Sequence, residues 1–173
     1  MKRSAKIALV TMGVSTLALT ACKREEVQAS IFKSVDECVA SKSHTPDACA
    51  DAYAYAVSEH DLVSPRYKSH DDCEAEVGAE QCEEAPYDGK RTSYRPLVAA
   101  FMFSRAGVAS QPLYRNAATP QAFRTASNRL VPARSGNVKV AKAAGAKPRN
   151  RLYSERRGGF GSTARRTGSR ASG

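Results

Sequence analysis

Phe32-Lys33-Ser34-Val35-Asp36-Glu37-Cys38 and Tyr67-Lys68-Ser69-His70-Asp71-Asp72-Cys73 are two copies of one pattern: an aromatic residue, Lys, Ser, a variable residue, Asp, an acid and Cys. Each copy is followed by a second cysteine, Cys49 or Cys82. The pattern reads as a helix start. Ser34 is placed to cap the first free backbone N–H groups while Glu37, three residues on, completes a capping box; Ser69 and Asp72 give a weaker version. Acids in the first turn also suit the positive end of the helix dipole. Val35, Cys38 and Val39 then share one short apolar face.

A second helix is announced by Thr45 as N-cap, Pro46 at the first helical position and Asp47 behind it. On it Cys49, Tyr53 and Val57 recur at helical spacing, with Ala52 and Ala56 beside them. If Ser41 to His44 form the turn, Cys38 at the end of one helix faces Cys49 in the first turn of the next, and a local bridge follows. Gly78 is a helix terminator before Cys82, so Cys73 with Cys82 is the parallel expectation; a crossed pairing between copies stays open. Each bridge would stabilise the fold by roughly 2 to 3 kcal/mol by restricting the unfolded chain, which a small core needs.

Outward from this repeat the charge divides sharply. Lys23 to Asp88 carries 16 Asp/Glu against 6 Lys/Arg, whereas Gly89 to Gly173 carries 18 Lys/Arg against Glu155 alone. Such asymmetry suggests that the two parts do different jobs. Pro96-Leu97-Val98-Ala99-Ala100-Phe101-Met102-Phe103 is the strongly apolar run between them, too short to span a bilayer. It is expected either to pack on the small domain or to dock on a membrane or protein partner. From Gly107 onward Ala, Ser, Gly, Pro and Arg dominate with no sustained period, so few large apolar groups are available to offset ordering entropy. The expected fold class is therefore mainly α: a small disulfide-stapled helical-hairpin domain followed by a long, largely disordered basic tail.

The N-terminus reads as an export signal. Lys2, Arg3 and Lys6 precede an uncharged, mostly apolar stretch from Ile7 to Leu19, shorter than a membrane span. Leu19-Thr20-Ala21-Cys22 follows and resembles the lipobox of bacterial lipoproteins, in which the Cys receives a diacylglycerol, the preceding peptide is cleaved and the new amino terminus is acylated. Several acyl chains, at about 0.8 kcal/mol per buried methylene, hold a protein to a bilayer effectively permanently. Lys23 in place of Asp implies, by resemblance to enterobacterial lipoprotein sorting, the outer membrane. The expected organisation is signal peptide 1–21, tether 22–31, acidic four-cysteine helical domain 32–88, apolar docking segment 89–106 and basic disordered tail 107–173. In an exported chain the even set Cys38, Cys49, Cys73 and Cys82 reads as a disulfide framework.

His44, His60 and His70 all lie in the acidic half, without the close spacing of metal ligands, and read as surface histidines rather than zinc or copper ligands. No nucleophile elbow, phosphate loop or Cys-His pattern is present, so no cofactor, metal or catalytic residue is expected. Arg156-Arg157-Gly158-Gly159-Phe160-Gly161 has the look of a nucleic-acid segment, but export makes nucleic acid an improbable physiological partner. Arg156, Arg157, Arg165, Arg166 and Arg170 are better suited to anionic lipid head groups, lipopolysaccharide or an acidic envelope protein.

The L-T-A-C, V-D-E-C and H-D-D-C segments, the Arg95-to-Tyr114 region with Ser110-Gln111-Pro112-Leu113-Tyr114, and Arg157-Gly158-Gly159-Phe160-Gly161 together resemble the YgiB-like family of proteobacterial lipoproteins, a domain of unknown function. The resemblance implies a lipid-anchored envelope protein and supplies no activity, substrate or catalytic residue. The function expected from the sequence is non-enzymatic binding or organisation of anionic envelope components through the basic tail. The alternatives are an accessory subunit docking through the apolar segment, and an envelope enzyme using His and carboxylates.

Overall fold

A computed structural model describes residues 25–87, 91–104 and 108–148. The helix starts lie where the capping residues put them. α1 spans Val35–Ala40, α2 Pro46–Val63 and α3 His70–Val77. Ser34 Oγ accepts from Glu37 N–H at 3.1 Å, Thr45 Oγ1 from Ala48 N–H at 3.3 Å and Ser69 Oγ from Asp72 N–H at 3.1 Å. The Glu37 carboxylate accepts from Lys33 N–H at 2.6 Å, one residue before the cap. α3 ends at Gly78, whose φ of +107° is strained for any residue with a Cβ. The disulfides join Cys38 to Cys49 and Cys73 to Cys82, so each bridge lies within one copy of the repeat.

The expected fold class is overturned, because the described residues are built mainly on β-structure. β1 (Glu26–Phe32), β4 (Ala100–Phe103), β5 (Gln111–Tyr114), β6 (Ala122–Thr125), β7 (Leu130–Pro132) and β8 (Gly136–Ala141) form one antiparallel sheet in the order β7-β6-β5-β4-β1-β8. Its two edges, β7 and β8, come into contact without pairing, so the sheet curls into an almost closed barrel. β2 (Cys82–Tyr87) and β3 (Arg91–Pro96) make a separate hairpin beside α3, and a single turn of helix, α4 (Lys142–Gly145), follows β8.

The stretch expected to be a tether is a strand with partners on both sides. β1 pairs with β8 from Glu26↔Ala141 to Ile31↔Gly136, and with β4 at Ile31↔Met102 and Phe32↔Phe101. The charge boundary is thus not a structural boundary: the first strand of the acidic half is held between two strands of the basic half. The expectation of disorder fails for residues 108–148, which supply four of the six strands. Residues 149–173 and 1–24 lie outside the described residues.

The β4 half of the apolar run, Ala100–Phe103, is core rather than a docking surface, while Leu97 before it is exposed. Alternation along β4 divides two clusters. Ala100 and Met102 join Ala29, Ile31, Leu113, Phe123, Val131, Val138 and Val140 on one face of the sheet. Phe101 and Phe103 join Phe32 on the other face, covered by Cys38, Cys49, Ala52 and Ala56 of α1 and α2. Both faces of β4 are therefore buried, and a partner cannot reach Phe101 or Met102 without opening the sheet. Among the described residues no helix is long and apolar enough to cross a membrane.

Ser110-Gln111-Pro112-Leu113-Tyr114 knits these layers together. Ser110 Oγ donates to Ala52 O on α2 at 2.5 Å, and Gln111 Nε2 donates to Ala144 O at 3.0 Å, which ties α4 to the sheet. Pro112 pairs with Phe101, Leu113 enters the inner cluster and Tyr114 reaches α2. One face of this strand holds the helix layer and the other fills the barrel.

Candidate functional site

The last turns of α2 present Glu59, His60 and Asp61 in sequence, and helical geometry sends each in a different direction. His60 points inward on the same stripe as Ala52, Ala56 and Val63, and is 5% exposed. Its Nδ1 lies 3.0 Å from the Tyr114 hydroxyl on β5, and its Nε2 lies 3.6 Å from Glu83 Oε1 on β2. Arg95 on β3 donates from Nε to the same Glu83 oxygen at 2.6 Å and from a terminal nitrogen to Asp61 Oδ1 at 2.6 Å. The arrangement that uses every donor has Tyr114 O–H donating to Nδ1 and the Nε2 proton facing the Glu83 carboxylate.

Burial, and next the Arg95 charge, push the His60 pKa down to about 4, with Glu83 and Asp61 opposing. Burial also drives Tyr114 well above the ordinary phenol range. Burial works against the Arg95 charge, but its bonds to Asp61 and Glu83 outweigh that and hold its pKa above the usual value. At neutral pH the assembly is a neutral imidazole between a neutral phenol and an ion pair. A phenol held this firmly protonated is a poor nucleophile. The cleft beside α4, lined by Glu25, Leu130 and Lys142, and the cleft lined by Lys33, Asn116 and Phe123 lie away from His60 and Tyr114. The geometry suits a polar lock that joins helix, hairpin and barrel, and the reading of His60 as a surface histidine is corrected.

This lock predicts an acid-sensitive window. The unfolded imidazole takes up its proton near pH 6.5, whereas folded His60 resists protonation down to about 4. Its contribution is therefore fully present above pH 6.5 and is lost as pH falls toward 4, amounting to up to about 3 kcal/mol. Urea unfolding at pH 7.5 and 4.5 should show this fall, and a His60→Gln variant should lose most of the difference. Equal slopes in both proteins would remove His60 as the cause.

The other histidines have separate partners. His44, in the α1–α2 turn, places Nε2 2.8 Å from Ser30 Oγ, which donates to Asn137 Oδ1 on β8 at 2.8 Å. Its ring lies 4.5 Å from that of Phe103 and meets Phe32 edge-on. His70 is largely exposed at the start of α3, 3.7 Å from Glu74. No group of His, Cys, Asp and Glu suited to a metal ion occurs among the described residues.

Opposite charges from the two halves also meet at the ends of the described chain. Lys142 Nζ lies 2.8 Å from Glu25 Oε1, beside the start of β1. Lys147 Nζ donates to the Tyr55 hydroxyl at 2.8 Å and lies 3.1 Å from Glu59 Oε1, and these bonds hold its pKa above the ordinary value. The sequence-selected Cys22, Arg156, Arg157, Arg165, Arg166 and Arg170 lie outside the described residues. Only three residues separate Cys22 from β1.

No solved structure matches this chain. A UPF0441 protein from Serratia proteamaculans (strain 568) is 30% identical over 188 aligned residues, covering 95% of this chain and 86% of that protein. Residues 26–170 match a family model, and the match begins with the first residue of β1 and runs past the last described strand. The chain belongs to the family described as Protein of unknown function (DUF1190).

Proposed function

We propose that the chain is a lipoprotein of the YgiB-like type, held in the cell envelope by an acylated Cys22 and facing the periplasm, at the outer membrane. Its activity is non-enzymatic: the folded domain presents a basic C-terminal segment to anionic envelope components. The observation that carries the anchor is the order of cationic start, uncharged apolar stretch and L-T-A-C, with only three residues between the cysteine and the first strand. Those residues reach at most about 14 Å from Cys22 to β1 even if fully extended, so an acylated chain keeps its domain against the bilayer surface.

Residues 149–173 contain seven Arg and one acid, Glu155. Against phosphate-bearing head groups each suitably placed Arg contributes about 1 kcal/mol, and the attraction weakens as the Debye length shrinks from about 10 Å at 0.1 M salt to about 3 Å at 1 M. The test compares three forms carrying Cys22→Ser for solubility: the mature chain, the chain ended at Pro148, and the chain with Arg156, Arg157, Arg165, Arg166 and Arg170 changed to Ala. Binding to phosphatidylglycerol vesicles or lipopolysaccharide should drop at least roughly tenfold in both altered forms and vanish at 1 M salt. Equal binding by all three, or binding that survives salt, contradicts the electrostatic reading.

A further inference from the structure

The barrel has two mouths. At one, β1 and β5 begin on opposite runs of the sheet from those that finish there, β8 ends, and α4 packs against β1 and β8 with Gln111 Nε2 holding Ala144 O. At the other, a cleft of about 310 Å³ is lined by residues that adjoin strand ends. Lys33 follows β1, Arg115 and Asn116 follow β5, and Ala133 follows β7, while Ala99 precedes β4 and Ala122 opens β6. Barrel mouths are a recurring place for small-molecule sites, and the cleft lies at the small end of their usual range of about 300 to 1,000 Å³. That size suits a short molecule rather than a whole lipid.

The floor is the end of the inner cluster. Phe123 is 7% exposed, Ala99 and Ala133 pack against the same core, and Val77 at the end of α3 is buried. Above this floor stand two exposed cations, Lys33 and Arg115, and no carboxylate lines the cleft. The acids close by in the chain are engaged elsewhere: Glu37 accepts from Lys33 N–H at 2.6 Å and bonds to Ser135, and Glu76 interacts with Tyr67.

Asn116 adds a third polar group. It is 3% exposed, and its side-chain nitrogen has no hydrogen-bond partner among the described residues. Its main chain is fixed: the Asn116 carbonyl accepts from Thr119 N–H at 3.2 Å, and Ala117 N–H donates to Glu76 O at 2.9 Å. A buried donor without a partner is uncommon and costly unless an acceptor reaches it. The last torsion of an Asn side chain is broad, so the amide can turn to meet an acceptor held in the cleft.

We propose that this mouth of the barrel binds a small organic carboxylate, its charged end between Lys33, Arg115 and the Asn116 amide and its apolar body against Phe123, Ala99 and Ala133. The planar fork of an arginine matches the two oxygens of a carboxylate, and a hydrocarbon body removes the apolar floor from water. The site depends neither on the anchor at Cys22 nor on the arginines after Pro148.

Amide NMR titration of the chain from residue 22, carrying Cys22→Ser and keeping its basic segment, tests the site with hexanoate as the probe. Saturable shifts are expected at the Asn116 side-chain amide together with the backbone amides of Val77, Gly78 and Phe123. Hexanol, which lacks the charge, and acetate, which lacks the apolar body, should each bind about tenfold more weakly than hexanoate. Lys33→Gln and Arg115→Gln, at exposed positions that leave the core intact, should weaken hexanoate about threefold each and about tenfold together. Hexanol binding as tightly as hexanoate would overturn the role of the cations, and acetate binding as tightly would overturn that of the apolar floor; either result defeats the proposal. Shifts confined to residues 149–173, no saturable shift at Asn116, or unchanged affinity in the double variant would overturn it equally.

Discussion

A chain ended after Arg105 is expected to lose cooperative unfolding altogether, whereas one ended after Pro148 keeps it. The shorter chain retains every cysteine, both repeat copies and helices α1, α2 and α3, and so contains the whole of what the sequence suggested as a domain. It nevertheless lacks β5 to β8. β1 would lose its pairing with β8 from Glu26 to Ile31, and the inner cluster would lose Val108, Leu113, Phe123, Val131, Val138 and Val140. His60 would lose the Tyr114 hydroxyl and stay buried without a partner on Nδ1, or else expose the end of α2. Two disulfides do not replace that core, because they restrain the unfolded chain without removing apolar surface from water. Urea titration followed by far-ultraviolet circular dichroism separates the cases. A sigmoidal transition in the shorter chain, at a midpoint near that of the longer one, would show that the helical part folds alone.

Phe101→Ala should cost about 3 to 5 kcal/mol, the range for deleting a fully buried aromatic ring from a core that cannot collapse. Phe101 has no exposed surface and sits on the central strand where sheet, α1 and α2 meet. Its ring lies 5.8 Å from Phe103, 6.2 Å from Phe32 and 5.5 Å from Tyr53. Backbone pairing with Phe32 on one side and Pro112 on the other prevents the strand from moving in to fill the gap. Tyr53→Ala, at a ring 39% exposed, removes the same edge-to-face contact and should cost far less. A Phe101→Ala loss below about 1 kcal/mol would place this residue at a surface, and the segment from Leu97 to Phe103 would again be open to a partner.

The helix starts were legible because capping is local: Ser34, Thr45 and Ser69 each bond to a backbone group three residues ahead, and the signal lies within a few residues. The sheet was not, because its strands are short and their partners distant. In β4 every residue is buried, so the run shows continuous apolarity in place of alternation. In β5 a proline occupies an interior strand, where proline ordinarily argues against one. Two strands carried a readable pattern. In Gly136-Asn137-Val138-Lys139-Val140-Ala141 the two valines are buried while Asn137 and Lys139 are exposed, and Glu26-Val27-Gln28-Ala29 alternates likewise. The low content of large apolar residues after Gly107 masked these, since a barrel filled partly by Ala, Val and Thr needs few of them.

The same locality explains the site. His60 continues the Ala52-Ala56 spacing, a signal that the reading of it as a surface histidine passed over, and its partners Tyr114, Glu83 and Arg95 come from three strands that a helical reading did not contain. Charge asymmetry misled for a related reason. Acidic and basic residues separated along the sequence meet in the fold, as Glu83 with Arg95, Glu25 with Lys142 and Glu59 with Lys147. Composition reports how charge is distributed along the chain and is silent about which parts of the chain pair.

Metabolic labelling with a clickable palmitate analogue, followed by fractionation of the envelope, bears most directly on the proposed lipid anchor. The full chain should incorporate label, lose residues 1–21 and sediment with outer membranes, and Cys22→Ser should carry no label and leave the membrane fraction. Label that persists on Cys22→Ser, or an unlabelled wild-type chain recovered in the soluble periplasm, would contradict a lipid anchor at Cys22.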